Sequence, residues 1–233
     1  MIIFIQARYN SSRLPGKVLK KIKGKSILIW LIENLLKSKI GLPIVVLTSN
    51  RKTDDPIASY CKKKNIEYFR GDLYDVSSRF LKASIHYNQT HFIRLSADSP
   101  LFDPFILKQA LSIANKNPNY DLITNVQKRT FPKGQSVEII KFKALERLIK
   151  GGLSPYEKEH VTAGFYNREK EYLIYNFISN NNYKDIQLSV DTEEDFLVIE
   201  SIFQEVLNTK KEIIMGWEDM AYIYNRIKKI SNL

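Results

Sequence analysis

Three segments of the 233-residue chain gather side chains that can do chemistry. The first, Ala7-Arg8-Tyr9-Asn10-Ser11-Ser12-Arg13-Leu14-Pro15-Gly16-Lys17, packs two arginines, a lysine, hydroxyls and a glycine into one short stretch. Arginine offers a planar fork to phosphate oxygens and lysine a mobile point charge. Loop amides add further donors, so the stretch suits a polyphosphate. It is not a Walker A loop: Gly16-Lys17 fits the end of that motif, but position 11 is Ser and position 18 is Val. A solvated basic loop is the alternative. The second segment is Arg94-Leu95-Ser96-Ala97-Asp98-Ser99-Pro100-Leu101-Phe102-Asp103-Pro104. Asp98 falls just past an apolar strand, where a carboxylate is well placed for Mg²⁺, an ion held by a few carboxylates together with substrate phosphates. A turn-forming role is its alternative. Asp103 is explained as a helix cap. The third segment is Leu188-Ser189-Val190-Asp191-Thr192-Glu193-Glu194-Asp195. Its last three carboxylates suit the first turn of a helix, where the dipole favours them. Asp191 is left without a structural task, and with Asp98 it would complete a two-carboxylate metal site if the fold joins them.

Weaker signals lie elsewhere. Ser78 and Arg79 follow the cap candidate Asp75 and can face a ligand or simply solvent. Lys133 and Gly134 mark a basic turn. His160 can act as an acid–base group or sit partly buried in a helix. Histidines 86, 91 and 160 have no zinc spacing. Cys61 falls on an amphipathic helix as a core residue. Neither G-x-S-x-G nor G-x-G-x-x-G occurs.

The elements that must position these residues follow from apolar periodicity. Strands are expected at 2–6, 44–49, 66–70 and 91–96. Helices are expected at 26–38 with Ser26 as N-cap, from Asp54-Asp55-Pro56 to about 64, from Asp75 to about 88, and from Asp103-Pro104 to about 115. This alternation implies a mainly parallel sheet with helices on both faces. Ligands of such sheets bind at the carboxyl edge, where the first two segments fall. Beyond residue 125 the rhythm loosens. Strands are expected at 121–125, 136–140, 172–178 and 185–190, and helices at 142–150, 156–169, 218–230 and, behind the capping box at Thr192–Asp195, to about 208.

Composition narrows the classes. A 27.2 kDa chain with 44% hydrophobic and 26% charged residues is an ordinary globular one. No apolar run reaches the roughly 20 residues of a membrane span. One cysteine excludes a disulfide framework and a cysteine-based metal site. The opening apolar run is too short for a signal peptide, so a reducing cytoplasm is the expected compartment. Net charge is +11, but residues 1–41 hold nine basic residues and one acidic. An excess this compact points to a local polyanion such as a triphosphate, and no basic stripe interleaved with aromatics suggests nucleic acid.

The stretch IIFIQARYNSSRLPGKVL, followed by Gly24-Lys25, resembles the opening of the cytidylyltransferases that activate acidic sugars. The variant it most resembles is the family of spore coat polysaccharide biosynthesis protein F, with the 3-deoxy-manno-octulosonate cytidylyltransferases very similar. DDPI (54–57), FRG (69–71), DVSSRF (75–80), RLSADSPLFDP (94–104), TFPKGQSVEI (130–139), EHVT (159–162) and SVDTEEDF (189–196) continue the resemblance, in order, to about residue 207. It implies an α/β nucleotide-diphospho-sugar transferase fold, a sandwich with a mixed, mainly parallel sheet flanked by helices. It implies one domain over 1–233, with a nucleotide-binding half (1–125) and an acceptor-binding half with C-terminal helices (126–233). CTP is the implied donor and Mg²⁺ the implied cofactor. The acceptor is a small acidic sugar or a phosphorylated or phosphonate relative, pyrophosphate is released, and the setting is surface polysaccharide biosynthesis. A homodimer is compatible with it.

Carried over by position, Arg8, Arg13 and Lys17 hold the triphosphate, and with Asp98 they form the catalytic set. Ala7 supplies backbone near the base. Ser78 and Arg79 lie near the nucleotide, and Asp98 and Asp191 are the metal carboxylates. Two departures stand out. Ala97-Asp98-Ser99-Pro100 replaces the family's Gly-Asp-Cys-Pro. Gly134-Gln135-Ser136-Val137-Glu138 replaces Gly-x-Asp-Val-Glu, so Ser136 stands where the family has a carboxylate, which bears on the acceptor pocket. The alternatives are another nucleoside triphosphate or a glycosyltransferase of similar fold, since a retained fold does not fix a substrate.

Overall fold

The computed structural model describes residues 1–209 and 216–231. Nine strands, β1 (Ile2–Gln6), β2 (Lys21–Ile22), β3 (Lys25–Ser26), β4 (Ile44–Ser49), β5 (Tyr68–Gly71), β6 (His91–Ser96), β7 (Leu122–Thr124), β8 (Glu138–Lys141) and β9 (Ile174–Asn176), lie among the described residues. The helices there are α1 (Ile27–Lys37), α2 (Asp55–Lys63), α3 (Val76–His86), α4 (Pro104–Lys116), α5 (Phe142–Lys150), α6 (Pro155–Glu159), α7 (Ala163–Asn167), α8 (Glu193–Thr209) and α9 (Trp217–Ser231). Seven strands form one sheet in the order β5-β4-β1-β6-β8-β7-β9. Only β8 runs against the others, being antiparallel to both β6 and β7. The sheet is therefore mixed and mainly parallel.

The parallel strands read as continuous apolar runs because both faces are covered. Alternate residues of β1 serve opposite layers. Ile3 and Ile5 pack with Leu28 and Leu31 of α1, Ile57 of α2 and Ile106 of α4. Ile2 and Phe4 pack with Phe80 of α3, Leu145 of α5 and Phe165 of α7. A third cluster joins Ile22 and Trp30 to Phe196, Ile199 and Phe203 of α8 and to Met220 of α9. Met220, 2% exposed, closes this core, while Trp217, 7% exposed, packs on Phe131 in the first cluster and Tyr222 points to solvent.

The chain runs outward from β1 to β4 and β5 and then returns to the other side of β1 as β6. That reversal opens a crevice at the carboxyl ends of β1 and β6, where open α/β sheets bind ligands. The caps are as expected. Ser26 Oγ accepts from Ile29 N, Asp75 from Ser78 N, and Asp103 from Phe105 N. Thr192 and Asp195 cap α8 reciprocally.

Three expectations change. The helix over 156–169 is two short helices, α6 and α7, because the backbone leaves helical geometry at His160. Segment 185–190 is extended but forms only a single bridge, Lys133 to Gln187. Residues 21–26, to which no strand was assigned, form the hairpin β2–β3, whose two-residue turn Lys23-Gly24 has positive φ at both positions. That turn geometry matches the twist of paired strands. Among the described residues no helix is long and apolar enough to cross a membrane.

Candidate active site

The loop after β1 is shaped by two residues. Tyr9 carbonyl accepts the amides of Ser11 (2.9 Å) and Gly16 (2.7 Å), which folds the loop back on itself. Gly16 has φ +71°, and a Cβ there would meet the Tyr9 ring at 3.0 Å, so glycine is required on both counts. The Tyr9 amide in turn donates to Asp54 Oδ1 (2.7 Å), while Asp54 Oδ2 accepts from Ser49 N (3.0 Å). Asp54 is wholly buried and ties the loop to the end of β4. Asp54 stands at the start of α2, as its position before Asp55-Pro56 predicts, but its side chain makes no cap bond and anchors this loop instead. Two consecutive aspartates before Pro56, where one cap suffices, are the signal that could have revealed it.

The loop aims Lys17 at two carboxylates from opposite ends of the chain. Lys17 Nζ lies 2.7 Å from Asp98 Oδ2 and 2.8 Å from Asp191 Oδ1, and its side chain is only 9% exposed. Asp98 is delivered by β6. Asp191 is delivered by a threaded segment: Val190 N donates to Asp98 O (2.9 Å), and Leu188 N donates to Lys133 O (2.8 Å). Gly134 makes this passage possible, since a Cβ there would come within 2.6 Å of the Leu188 backbone. Arg13 stands 3.5 Å from Asp191 Oδ2. Burial alone would raise the Asp191 carboxyl, but bonding to Lys17, with Arg13 behind, holds it below the ordinary carboxylate range. Arg8 faces the same crevice and pairs with Glu159 at 2.8 Å on an exposed rim.

Two cavities meet at this carboxylate pair. One, about 160 Å³, is lined by Arg8, Ser11, Ser12, Arg13 and Lys17 on the loop and by Gln6 and Arg94 on its floor. The other, about 230 Å³, is lined by Arg129, Lys133, Gly134, Ser136 and Ser189. Ser96, Asp98 and Asp191 border both. Arg94 is held by Gln6 Oε1 (3.1 Å) and by a close pairing with the buried Glu138, which also accepts from Tyr166 Oη (2.7 Å). In the second cavity Arg129 donates to the neutral oxygens Ser136 Oγ (3.1 Å) and Pro132 O (3.5 Å). Burial lowers its pKa, against the pull of nearby Glu138 and Tyr166. Gln6, Arg94, Arg129 and Asp54 were not singled out from the sequence as site residues.

The remaining candidates fall elsewhere. Arg79 is fully buried, and its guanidinium donates to the carbonyls of Asp72 (2.6 and 2.9 Å) and Leu73 (3.3 Å). Burial pushes it down to about 10, with Asp54 and Asp72 opposing and Arg8 adding to the shift. Ser78 sits in the first turn of α3 with its amide on Asp75. Neither lines the two cavities. Ala7 is buried at the end of β1, its amide bonded to Leu47 O (2.9 Å). His160 reaches the rim of the first cavity and packs tilted against the Tyr156 ring, centroids 4.3 Å apart. Cys61 is buried, its thiol pushed up to about 12 by burial.

Asp98 and Asp191 can hold a metal. Their oxygens already converge on one cationic point, occupied by the Lys17 ammonium. Hard carboxylate oxygens suit Mg²⁺. Among the described residues no group of three or more His, Cys, Asp or Glu side chains comes together, so further ligands would come from phosphates or water.

The fold is that of the nucleotidyltransferases, with a cationic loop at the switch point of a mixed α/β sheet and a carboxylate pair beside it. The chain belongs to the cytidylyltransferase family, whose model matches residues 2–230. That match runs past residue 207, where the resemblance ends, and takes in nearly all of α9. A cytidylyltransferase structure from Leptospira borgpetersenii superposes with TM-score 0.90 at 30% identity, covering 98% of this chain and 95% of that one. Spore coat polysaccharide biosynthesis protein SpsF of Bacillus subtilis is 29% identical over 213 residues, 88% of this chain and 87% of that protein. CMP:2-keto-3-deoxy-manno-octonic acid synthetase complexed with CTP shares the fold at TM-score 0.66 and 15% identity, covering 88% and 98%.

Proposed function

We propose that this cytidylyltransferase moves CMP from CTP to a hydroxyl of a small acidic sugar, or of a phosphorylated or phosphonate relative, with Mg²⁺ and release of pyrophosphate. The setting is surface polysaccharide biosynthesis. The observation that carries the reading is the pair of cavities meeting at Asp98 and Asp191. The cationic loop cavity suits the triphosphate. The second, with Arg129 and Lys133, suits an anionic acceptor. The reacting phosphorus would then sit at their shared wall. In this scheme residues 1–125 supply most of the donor side, while 126–233 supply Arg129, Lys133, Ser136 and Asp191 to the acceptor side.

The acceptor hydroxyl gives its proton to water as its oxygen forms a bond to the α-phosphorus, the bond from that phosphorus to the α–β bridging oxygen breaks, and pyrophosphate leaves. Arg8, Arg13 and Lys17 bind the β and γ phosphates and stabilise the charge that develops on the leaving group. Asp98 and Asp191 are the residues that would hold Mg²⁺, which when bound screens phosphate charge and lowers the pKa of the attacking hydroxyl. Alignment and electrostatics then supply the rate without a protein nucleophile.

Thermal stabilisation by CTP, UTP, GTP and ATP, each with and without Mg²⁺, tests this. A ligand that binds only the folded state raises stability by about 2.7 kcal/mol at a hundredfold excess over Kd. The expected result is a rise with CTP that Mg²⁺ strengthens, followed by pyrophosphate release with acidic acceptors. A response to another triphosphate would overturn the choice of CTP. No response to any triphosphate would overturn the donor site.

A further inference from the structure

The lysine that reaches into the carboxylate pair does more than bind phosphate. An ammonium at 2.7 and 2.8 Å from Asp98 Oδ2 and Asp191 Oδ1 stands where a divalent cation bridging those same oxygens would stand. Two cations cannot share that point, since like charges a few ångströms apart repel strongly in a partly buried site. We propose that Lys17 gates the metal site: it fills the carboxylate pair until a triphosphate draws it away, so a divalent cation binds after, or together with, the nucleotide and not before. This rests on the reading of Asp98 and Asp191 as metal ligands given above.

Three features of the site support the gate. Lys17 lines the donor cavity beside Arg8, Ser11, Ser12 and Arg13, so phosphate oxygens placed there compete for its ammonium directly. The flexible lysine stem allows the head to swing while the backbone stays fixed by the turn from Gly16. The carboxylates, by contrast, are held by neighbours that do not depend on Lys17. Ser99 Oγ donates to Asp98 Oδ1 (3.3 Å), Gln187 Nε2 to Asp191 Oδ2 (3.4 Å), and the Asp191 amide to Asp195 Oδ2 (3.0 Å).

The charge balance sets the order. With Lys17 in place and Arg13 at 3.5 Å, two cations face two carboxylates, and an incoming metal ion gains little attraction. Once Lys17 and Arg13 turn to phosphate, the carboxylates are left bare beside an anionic ligand. The coupling is reciprocal: the nucleotide tightens the cation by the same factor as the cation tightens the nucleotide.

The test counts protein-bound Mn²⁺ by the loss of its free-ion electron paramagnetic resonance signal, after subtracting the loss that the nucleotide analogue alone causes without protein. It uses the wild-type chain, Lys17→Met and Lys17→Gln, with and without an α,β-methylene analogue of CTP that cannot turn over. Wild type is expected to bind Mn²⁺ only weakly alone and to hold it firmly once the analogue is present. Two charge-assisted hydrogen bonds no longer have to be broken in Lys17→Met, so that variant is expected to bind Mn²⁺ alone about a hundredfold more tightly than wild type. Lys17→Gln is expected to gain less. Wild type that binds Mn²⁺ without nucleotide as tightly as with it would overturn the gate, and this comparison stands even if neither variant folds. Lys17→Met binding no tighter than wild type would overturn it too. If the analogue stabilises the protein yet never recruits Mn²⁺, the carboxylate-pair reading falls and the gate with it. If the analogue itself does not bind, the donor site proposed above is what has failed.

Discussion

Asp54→Asn is the sharpest perturbation of the cationic loop at 7–17 that leaves every loop residue in place. The carboxylate is wholly buried and accepts two backbone amides, Tyr9 at 2.7 Å and Ser49 at 3.0 Å. Asparagine is nearly the same shape but offers one acceptor oxygen and one amide nitrogen. One bond therefore persists in neutral form, while the other becomes donor against donor. The loss of charge assistance on the first and of the whole bond on the second costs about 3 kcal/mol. In a domain of this size that lowers Tm by about 6–12 °C. Tyr9 is also the hub that receives Ser11 and Gly16, so Arg8, Arg13 and Lys17 lose their fixed placement. CTP affinity should fall by about tenfold, since precise placement is what the loop contributes. Asp55→Asn is the control: that carboxylate is half exposed and pairs with Arg70 at the surface, so its loss costs about 1 kcal/mol or less. Urea denaturation and CTP titration measure both quantities. Destabilisation below about 0.5 kcal/mol with unchanged CTP affinity would refute the anchoring argument, since a buried charge-assisted bond is worth more than that.

Asp98→Asn should lower kcat by about a hundredfold or more while changing KM for CTP far less, because the oxygen it alters serves the transition state; unchanged turnover in steady-state assays would remove Asp98 from the reacting centre. Ser136→Asp places a carboxylate beside Arg129, which now donates to the Ser136 hydroxyl at 3.1 Å. It should raise KM for an acidic acceptor while leaving CTP-dependent thermal stabilisation intact, and equal effects on both substrates would count against separate donor and acceptor cavities. Glu157 is held down to about 2, first by the Ser154 amide, then by Asn167, with Arg168 adding to it. A folded-state pKa below the ordinary value gives stability that is present above about 4.5 and lost as pH falls toward about 2. Stability against acid, followed by circular dichroism, should therefore fall over that window in wild type and much less in Glu157→Gln; superimposable profiles would show that Glu157 carries no such linkage.

Local signals along the chain carried most of the architecture. β1, β4 and β6 announce themselves as short apolar runs, and Ser26, Asp75, Asp103 and Thr192 cap helices within a few residues of their own positions. Capping and amphipathic periodicity act over one or two turns, so they are readable without knowing the fold. The loop at 7–17 was legible as a cationic cluster for the same reason: its cations, hydroxyls and glycine are contiguous. Where a local signal was ambiguous the reading slipped. Residues 156–169 have enough apolar positions for one helix, but the chain breaks at His160 and restarts as α7. Segment 185–190 alternates like a strand, yet it threads between Lys133 and Asp98 and pairs at a single point.

Long-range contact decided the rest. That Asp98 and Asp191 share a cation depends on the Val190–Asp98 backbone bond and on the space Gly134 leaves for Leu188, and neither is visible in the residues around each aspartate. The same holds for Lys17 bonding both carboxylates, for Asp54 reaching back to Tyr9, and for Arg79 turning to carbonyls of the loop before α3. Each of these side chains had several acceptable partners by chemistry alone. The order of strands in the sheet, and the burial it imposes, selected one.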